Sequence, residues 1–239
     1  MKLIVSIIFI FVFFIPFSIS AQDGFAWGIK GGLTGGQQSW SGSDSDLLFR
    51  YHGAAYIESL GETSGSVLYA QAGYHVRGSA FRYLGNFVAP NGQTFRPATT
   101  TYQYRNAAVG LGMKKLKPIS DNISYYYGFG LRGEYTINTN LPSIEDKLGA
   151  YFLVKEYVRP FNFGATLSGG IQTKLSDLIG LVGEISIHPD FSRQYFSPPL
   201  LVYNTFTGGN EPTSERSIKN LSFEISVGFR FLRKVVYVD

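Results

Sequence analysis

The stretch Ile123–Ile137 reads Ile-Ser-Tyr-Tyr-Tyr-Gly-Phe-Gly-Leu-Arg-Gly-Glu-Tyr-Thr-Ile, and it alternates from end to end. One face carries Ile123, Tyr125, Tyr127, Phe129, Leu131, Gly133, Tyr135 and Ile137. The other carries Ser124, Tyr126, Gly128, Gly130, Arg132, Glu134 and Thr136. A period of two belongs to a β-strand, whose successive side chains point to opposite sides. Both charges of the stretch lie on the face of small residues, and the apolar face has none. A strand of this length exceeds the roughly 9–11 residues that a tilted strand needs to cross hydrocarbon.

Working outward, the same pattern recurs along the chain. Leu221, Phe223, Ile225, Val227, Phe229 and Phe231 oppose Ser222, Glu224, Ser226, Gly228 and Arg230. In Phe161–Leu175, Phe161, Phe163, Ala165, Leu167 and Ile171 oppose Asn162, Gly164, Thr166, Ser168, Gln172 and Lys174. The first strand sets Phe25, Trp27, Ile29 and Leu33 against Ala26, Gly28, Lys30 and Thr34. Noisier alternation marks Leu48–Leu60, Ser66–Ala80, Tyr102–Lys114 and Leu181–Phe191; in the third of these, Gly110 and Gly112 blur the choice of face. The expectation is an all-β, antiparallel up-and-down barrel of eight strands.

Connection lengths point the same way. Gly61–Gly65, Lys115–Asn122 and Ser176–Gly180 are short, whereas 35–47, 81–101, 138–160 and 192–219 are long. Regular alternation of short and long is the arrangement of periplasmic turns and extracellular loops in a transmembrane barrel. A soluble ligand-binding barrel also has eight alternating strands, but it turns its apolar face inward and a charged face to water. Here the apolar face is nearly free of charge, as lipid contact requires, since a charge near the midplane costs about 2–4 kcal/mol.

Composition agrees with this. Of 239 residues only 16% are charged and 16% are aromatic, with 28 Gly, 20 Phe and 16 Tyr; soluble domains average about 25% charged. The absence of Cys excludes disulfides, thiolate metal sites and a catalytic thiol. Met1-Lys2, the apolar run Leu3–Ile15 and the ending Ser18-Ile19-Ser20-Ala21 read as a signal peptide over residues 1–21, cleaved before Gln22. The remaining 22–239 then forms the barrel. Its removal takes Lys2 from 21 basic residues and leaves 20 against 17 acids, near +3. That small excess predicts no nucleic-acid partner.

The run from Phe161 to Leu178, followed by Leu181-Val-Gly-Glu-Ile-Ser-Ile, resembles the penultimate hairpin of Bacteroidetes outer-membrane β-barrel proteins of the PorT-like family, small barrels of the OmpX/OmpA type. The opening Trp27-Gly-Ile-Lys-Gly-Gly-Leu and the ending Asn220–Phe231 are similar to that family's first and last strands. Two features depart from it: Phe231 is followed by Leu-Arg-Lys-Val-Val-Tyr-Val-Asp, and Ser226 stands where the assembly signal often has Gly. The resemblance implies an outer-membrane location with both mature termini periplasmic, and partners among the bilayer, the barrel-assembly machinery and other envelope proteins. Some members of the family are linked to type IX secretion and gliding.

Candidate chemistry is sparse. The inward face is expected to hold a structural polar network of Lys30, Arg50, His52, Glu58, His75, Arg77, Arg132, Glu134, Glu184, Glu224 and Arg230. Mixed signs in a narrow barrel allow cross-strand pairing, which buried charges need. If the turn centres near residues 63–64, His52 and His75 face each other; two His are too few for a typical zinc site. His188 is expected near the extracellular rim, where Ser186, Ser192 and Asp190 are available for a hydrolase-like arrangement on the lipid face, as such candidates are in any chain this rich in Ser. The reading is therefore no enzyme, no metal and no cofactor. A narrow small-solute channel is the alternative, and an outer-membrane lipid-modifying hydrolase ranks behind it. The long loops hold Trp40, Phe81, Tyr83, Phe87, Phe95, Tyr151, Phe152, Tyr157, Tyr195, Phe196, Tyr203 and Phe206, expected as an aromatic girdle and a contact surface.

Overall fold

The computed structural model describes residues 24–40, 45–59, 65–81, 87–88, 92–95, 99–148, 153–204, 208–212 and 214–232. The expected signal peptide lies outside them, as do most of the first turn and the tail after Leu232. Eight long strands make the wall: β1 (Phe25–Trp40), β2 (Leu48–Ser59), β3 (Ser66–Phe81), β6 (Thr100–Ser120), β7 (Ile123–Thr139), β8 (Phe161–Lys174), β9 (Ile179–Pro189) and β13 (Arg216–Leu232). Each pairs antiparallel with the next, and β13 returns to pair with β1, so the sheet closes. Short pieces decorate the long connections: β4 (Phe87–Val88), β5 (Thr94–Phe95), β10 (Tyr195–Ser197), β11 (Leu201–Asn204), β12 (Gly209–Pro212), the helix α1 (Leu141–Leu148) and a 3-10 turn at Lys155–Tyr157.

The pairing register fixes the geometry. From Arg230 on β13, paired positions lead through Gly28, Tyr56, Gln71, Gly110, Arg132, Gly164 and Asp190, and return to β13 at Asn220, a stagger of ten residues. Eight strands with that stagger, at about 3.3 Å per residue and 4.8 Å between strands, tilt by about 40°. Such a barrel has an interior just wide enough for side chains to fill.

Period-two alternation then decides what faces where. Leu131 on β7, Ile185 on β9 and Val227 on β13 are 60–67% exposed on the outside, whereas Arg132, Glu184 and Glu224 are 3–5% exposed on the inside. In a protein that met water on its outer wall this would be inverted. An apolar exterior around a charged interior matches hydrocarbon outside.

Several strands outrun their expected ends. β1 continues to Trp40 because Gln37–Trp40 pair with Ile218–Leu221 of β13, which shrinks the first long connection from 35–47 to 41–47. β6 runs to Ser120 and meets β7 after only Asp121 and Asn122. At the opposite, long-loop end the extra length has a cause in packing. Tyr102 and Tyr104 of β6 and Ile218 of β13 point inward there and bury against Leu141 and Ile144 of α1, Leu153 and Tyr195. Trp40, Phe81, Tyr157 and Val158 surround this cluster. The barrel thus carries a second, apolar core above its charged one.

Candidate functional site: the lumen and its cap

The lumen is a stack of polar layers. At the short-turn end Glu58 accepts from Lys114 at 2.9 Å and from Arg230. One level up, Glu184 takes Lys30 at 2.6 Å on one oxygen and the Tyr126 hydroxyl at 2.8 Å on the other. The rings of Tyr56, Tyr69 and Tyr126 surround the Lys114 ammonium at 4.9–5.1 Å. Cation–π contacts of this kind strengthen where water is excluded.

The middle layer gathers all three histidines of the chain around Glu224. His75 Nδ1 lies 2.7 Å from Glu224 Oε1, and His188 Nε2 lies 3.1 Å from Oε2. His52 is 3.8 Å away, stacks on His75 at 5.5 Å, and sits between the hydroxyls of Thr34 and Ser226. Above it Arg77 reaches Glu134 at 3.0 Å and Asp190 at 3.3 Å, and Arg132 pairs with the same two carboxylates. Gln38, Ser79, Asn220, Gln194 and Thr136 then form a neutral amide and hydroxyl layer under the apolar cap. Nearly every one of these side chains is under 10% exposed, so the lumen is filled rather than open.

Ten of the eleven expected network positions, from Lys30 through Arg230, sit in this stack. Arg50 does not. It is half-buried near the long-loop rim and donates to the Phe49 carbonyl at 2.9 Å; among the described residues no ion pair links it to the lumen carboxylates. Its strand begins only two residues earlier, so the side chain has a wet exit that Arg77 lacks.

His188 also differs from expectation. It points inward, 2% exposed, because it shares the parity of Glu184 and Ser186 on β9. The hydrolase-like set does not assemble. Ser186 and Glu224 both approach the same ring nitrogen of His188, with Thr166 on the other. A relay needs the nucleophile and the orienting acid on opposite nitrogens. Asp190 is committed to Arg77 and Arg132, and the Ser192 hydroxyl to Asn162 and the Phe163 backbone.

Lys114 and Asp190 are the charged lumen residues absent from the expected network. Parity with Tyr104 and Asn106 along β6 was the available signal for the first, and parity with Glu184 for the second. The loop aromatics are another correction. Trp40, Phe81, Tyr157 and Tyr195 belong to the buried cap and not to a contact surface. Burial pushes the Tyr195 phenol above its ordinary value, and its oxygen accepts from the Val154 amide. All of Tyr83, Tyr151, Phe152 and Phe206, and the side chains of Phe87, Phe95 and Tyr203, lie outside the described part of the structure.

No protein-family model and no curated protein matches the sequence. Several solved structures are similar to it. OprG of Pseudomonas aeruginosa is similar over 90% of this chain and 99% of its own, at 9% identity and a TM-score of 0.49. Neisserial surface protein A is similar over 86% and 97%, at 8% identity and 0.42. Ail, the attachment invasion locus protein of Yersinia pestis, is similar over 87% and 99%, at 9% identity and 0.40.

Proposed function

We propose that the chain is an integral outer-membrane β-barrel without enzymatic activity, acting as a binding or assembly component of the cell envelope. One observation carries this reading: the lumen is packed with paired charges and, above them, hydrogen-bonded amides and hydroxyls, while the described parts of the long connections pack an apolar cap over it. A filled lumen leaves no path for solutes, and a lumen buried from water offers no substrate access. What remains available for function is the cap and its rim. The long-loop end is then extracellular, the barrel-assembly machinery inserts the chain, and residues 1–21 are removed on export. The pattern shared with the PorT-like family extends the reading towards secretion or gliding machinery.

Two measurements test it. Reconstituted in a planar bilayer, the folded barrel is expected to show no single-channel events. Stepwise conductance would replace this reading with the narrow small-solute channel. Crosslinking on intact cells, with photoreactive residues at Leu201 and Gly209 in the cap, is expected to trap an envelope protein.

A further inference from the structure

We propose that Arg159, Arg193 and Phe196 form a phosphate clasp on the outer rim of the barrel, which holds the phosphorylated saccharide headgroup of an outer-leaflet lipid. The inference rests on the outer-membrane reading above and adds a ligand to it.

Depth is the first support. Phe161 and Phe163 of β8 and Phe191 beyond β9 project outward, 55–72% exposed. They pair edge to face, Tyr135 with Phe161 at 5.0 Å and Phe163 with Phe191 at 6.4 Å. A band of outward aromatics at one end of a transmembrane barrel marks the interface between hydrocarbon and headgroups. Arg159 precedes Phe161 by two residues, and Arg193 follows Phe191 by two. Both are exposed, and both lie on the long-loop side of the rings, just beyond the aromatic band. Headgroup phosphates lie at that depth.

Convergence is the second support. The two guanidinium carbons lie 5.4 Å and 5.1 Å from the centre of the Phe196 ring. The backbone ties them together, since the Arg159 amide donates to the Gln194 carbonyl at 2.9 Å. Two like charges on one ring repel, and an anion between them relieves that repulsion. Glu215 reaches Arg193 only at 3.8 Å, with both side chains about half exposed. An exposed pair at that distance contributes little and is easily exchanged. Among the described residues no ion pair is found for Arg159. Guanidinium, planar and always charged, matches the oxygens of phosphate in paired hydrogen bonds. Phe196 supplies a flat apolar face of the kind that sugar rings rest on. Lys219, exposed on β13 above outward Phe223, continues the cationic row along the rim.

The test uses the full barrel, folded in neutral-lipid nanodiscs and titrated with bis-phosphorylated lipid A, with the same lipid after phosphatase treatment, and with inorganic phosphate. The readout is the temperature at which the heat-modifiable gel shift is lost, as a function of ligand concentration. Phosphorylated lipid A is expected to raise this temperature in the parent. R159Q/R193Q should need at least about tenfold more lipid for the same rise, as loss of charge-assisted bonds implies. K117Q, at the opposite end of the barrel, should follow the parent. Equal protection by the dephosphorylated lipid overturns the proposal, as does an unchanged titration in R159Q/R193Q. Full protection by inorganic phosphate alone assigns the clasp to a free anion and overturns the lipid. If R159Q/R193Q does not fold, the comparison of the two lipids on the parent decides by itself. A parent chain with no heat-modifiable shift before any lipid is added refutes the barrel reading, and the clasp with it.

Discussion

Glu224 holds the middle of the lumen, and its surroundings say what its removal should do. His75 and His188 lie within hydrogen-bonding distance, and Arg77 stands 4.0 Å away. Taking the carboxylate out leaves Arg77 and Arg132 facing only Glu134 and Asp190, with His75 and His188 stripped of their shared acceptor. Breaking a buried pair in this way costs about 3–5 kcal/mol. Glu224→Ala is therefore expected to lower the temperature at which the detergent-solubilised barrel loses its heat-modifiable shift. Glu184→Ala should do the same by stranding Lys30 and Tyr126. Ser222 is the control. It is fully buried, but its hydroxyl has no partner among the described residues, and deleting an unsatisfied group is close to neutral. Should Ser222→Ala fall as far as Glu184→Ala, packing and not charge pairing would hold the lumen. Should Glu184→Ala stay as stable as the parent yet lose cellular function, the lumen would be a working site.

At the scale of the strand, stability depends on where inward glycines meet inward tyrosines. A Cβ on Gly28 would lie 2.5 Å from the Tyr56 ring, and one on Gly170 would lie 2.6 Å from the Tyr126 ring. Each glycine leaves the space in which a neighbouring strand's ring lies flat across the lumen. Gly170→Val should push Tyr126 off Glu184, at the 1–3 kcal/mol typical of overpacking, about. The same Cβ would lie 2.3 Å from the Gly183 carbonyl, so a drop in the heat-modifiable midpoint that Tyr126→Ala reduces without abolishing would show that the valine displaces the ring as well as pressing on the backbone. These same glycines explain what sequence could and could not yield. Where an apolar outward face stands against small or charged residues, as along β7 and β13, alternation reads directly as a membrane-facing strand. Along β6, Gly110 and Gly112 fill inward positions without polar character, so the sequence alone does not assign Lys114 to a face. On β9 the expected strand runs on to Phe191, across Pro189, although a proline removes a ladder donor. The ladder nevertheless continues, with the Asp190 amide donating to the Asn220 carbonyl, and this keeps His188 and Asp190 inside. The cap was illegible for another reason. Its core joins Trp40, Tyr104, Leu141 and Tyr195, residues far apart in sequence that share no period.

For the whole molecule, the two ends of the barrel differ in a way that makes its orientation testable. One end closes with Asp121-Asn122 and with Ser176–Leu178, turns too short to fold into anything. The other carries α1, the β11–β12 hairpin, the apolar cap and the rim that bears Arg159 and Arg193. Outer-membrane barrels keep short turns in the periplasm and send long connections outside. The closure of β13 on β1 places Phe25 and Leu232, the outer ends of the first and last strands, at the short-turn end. A protease-site tag inserted at Gly209 is accordingly expected to be cut on intact cells. The same tag at Asp177 should be cut only after the outer membrane is permeabilised. Immunoblots of cells treated before and after permeabilisation measure both. Gly209 lies in a surface hairpin whose partner strand, β11, pairs only with it, so the insertion does not enter the barrel wall. Cutting at Asp177 on sealed cells would place the short turns outside. The cap would then face the periplasm, and the partner it meets would be sought there.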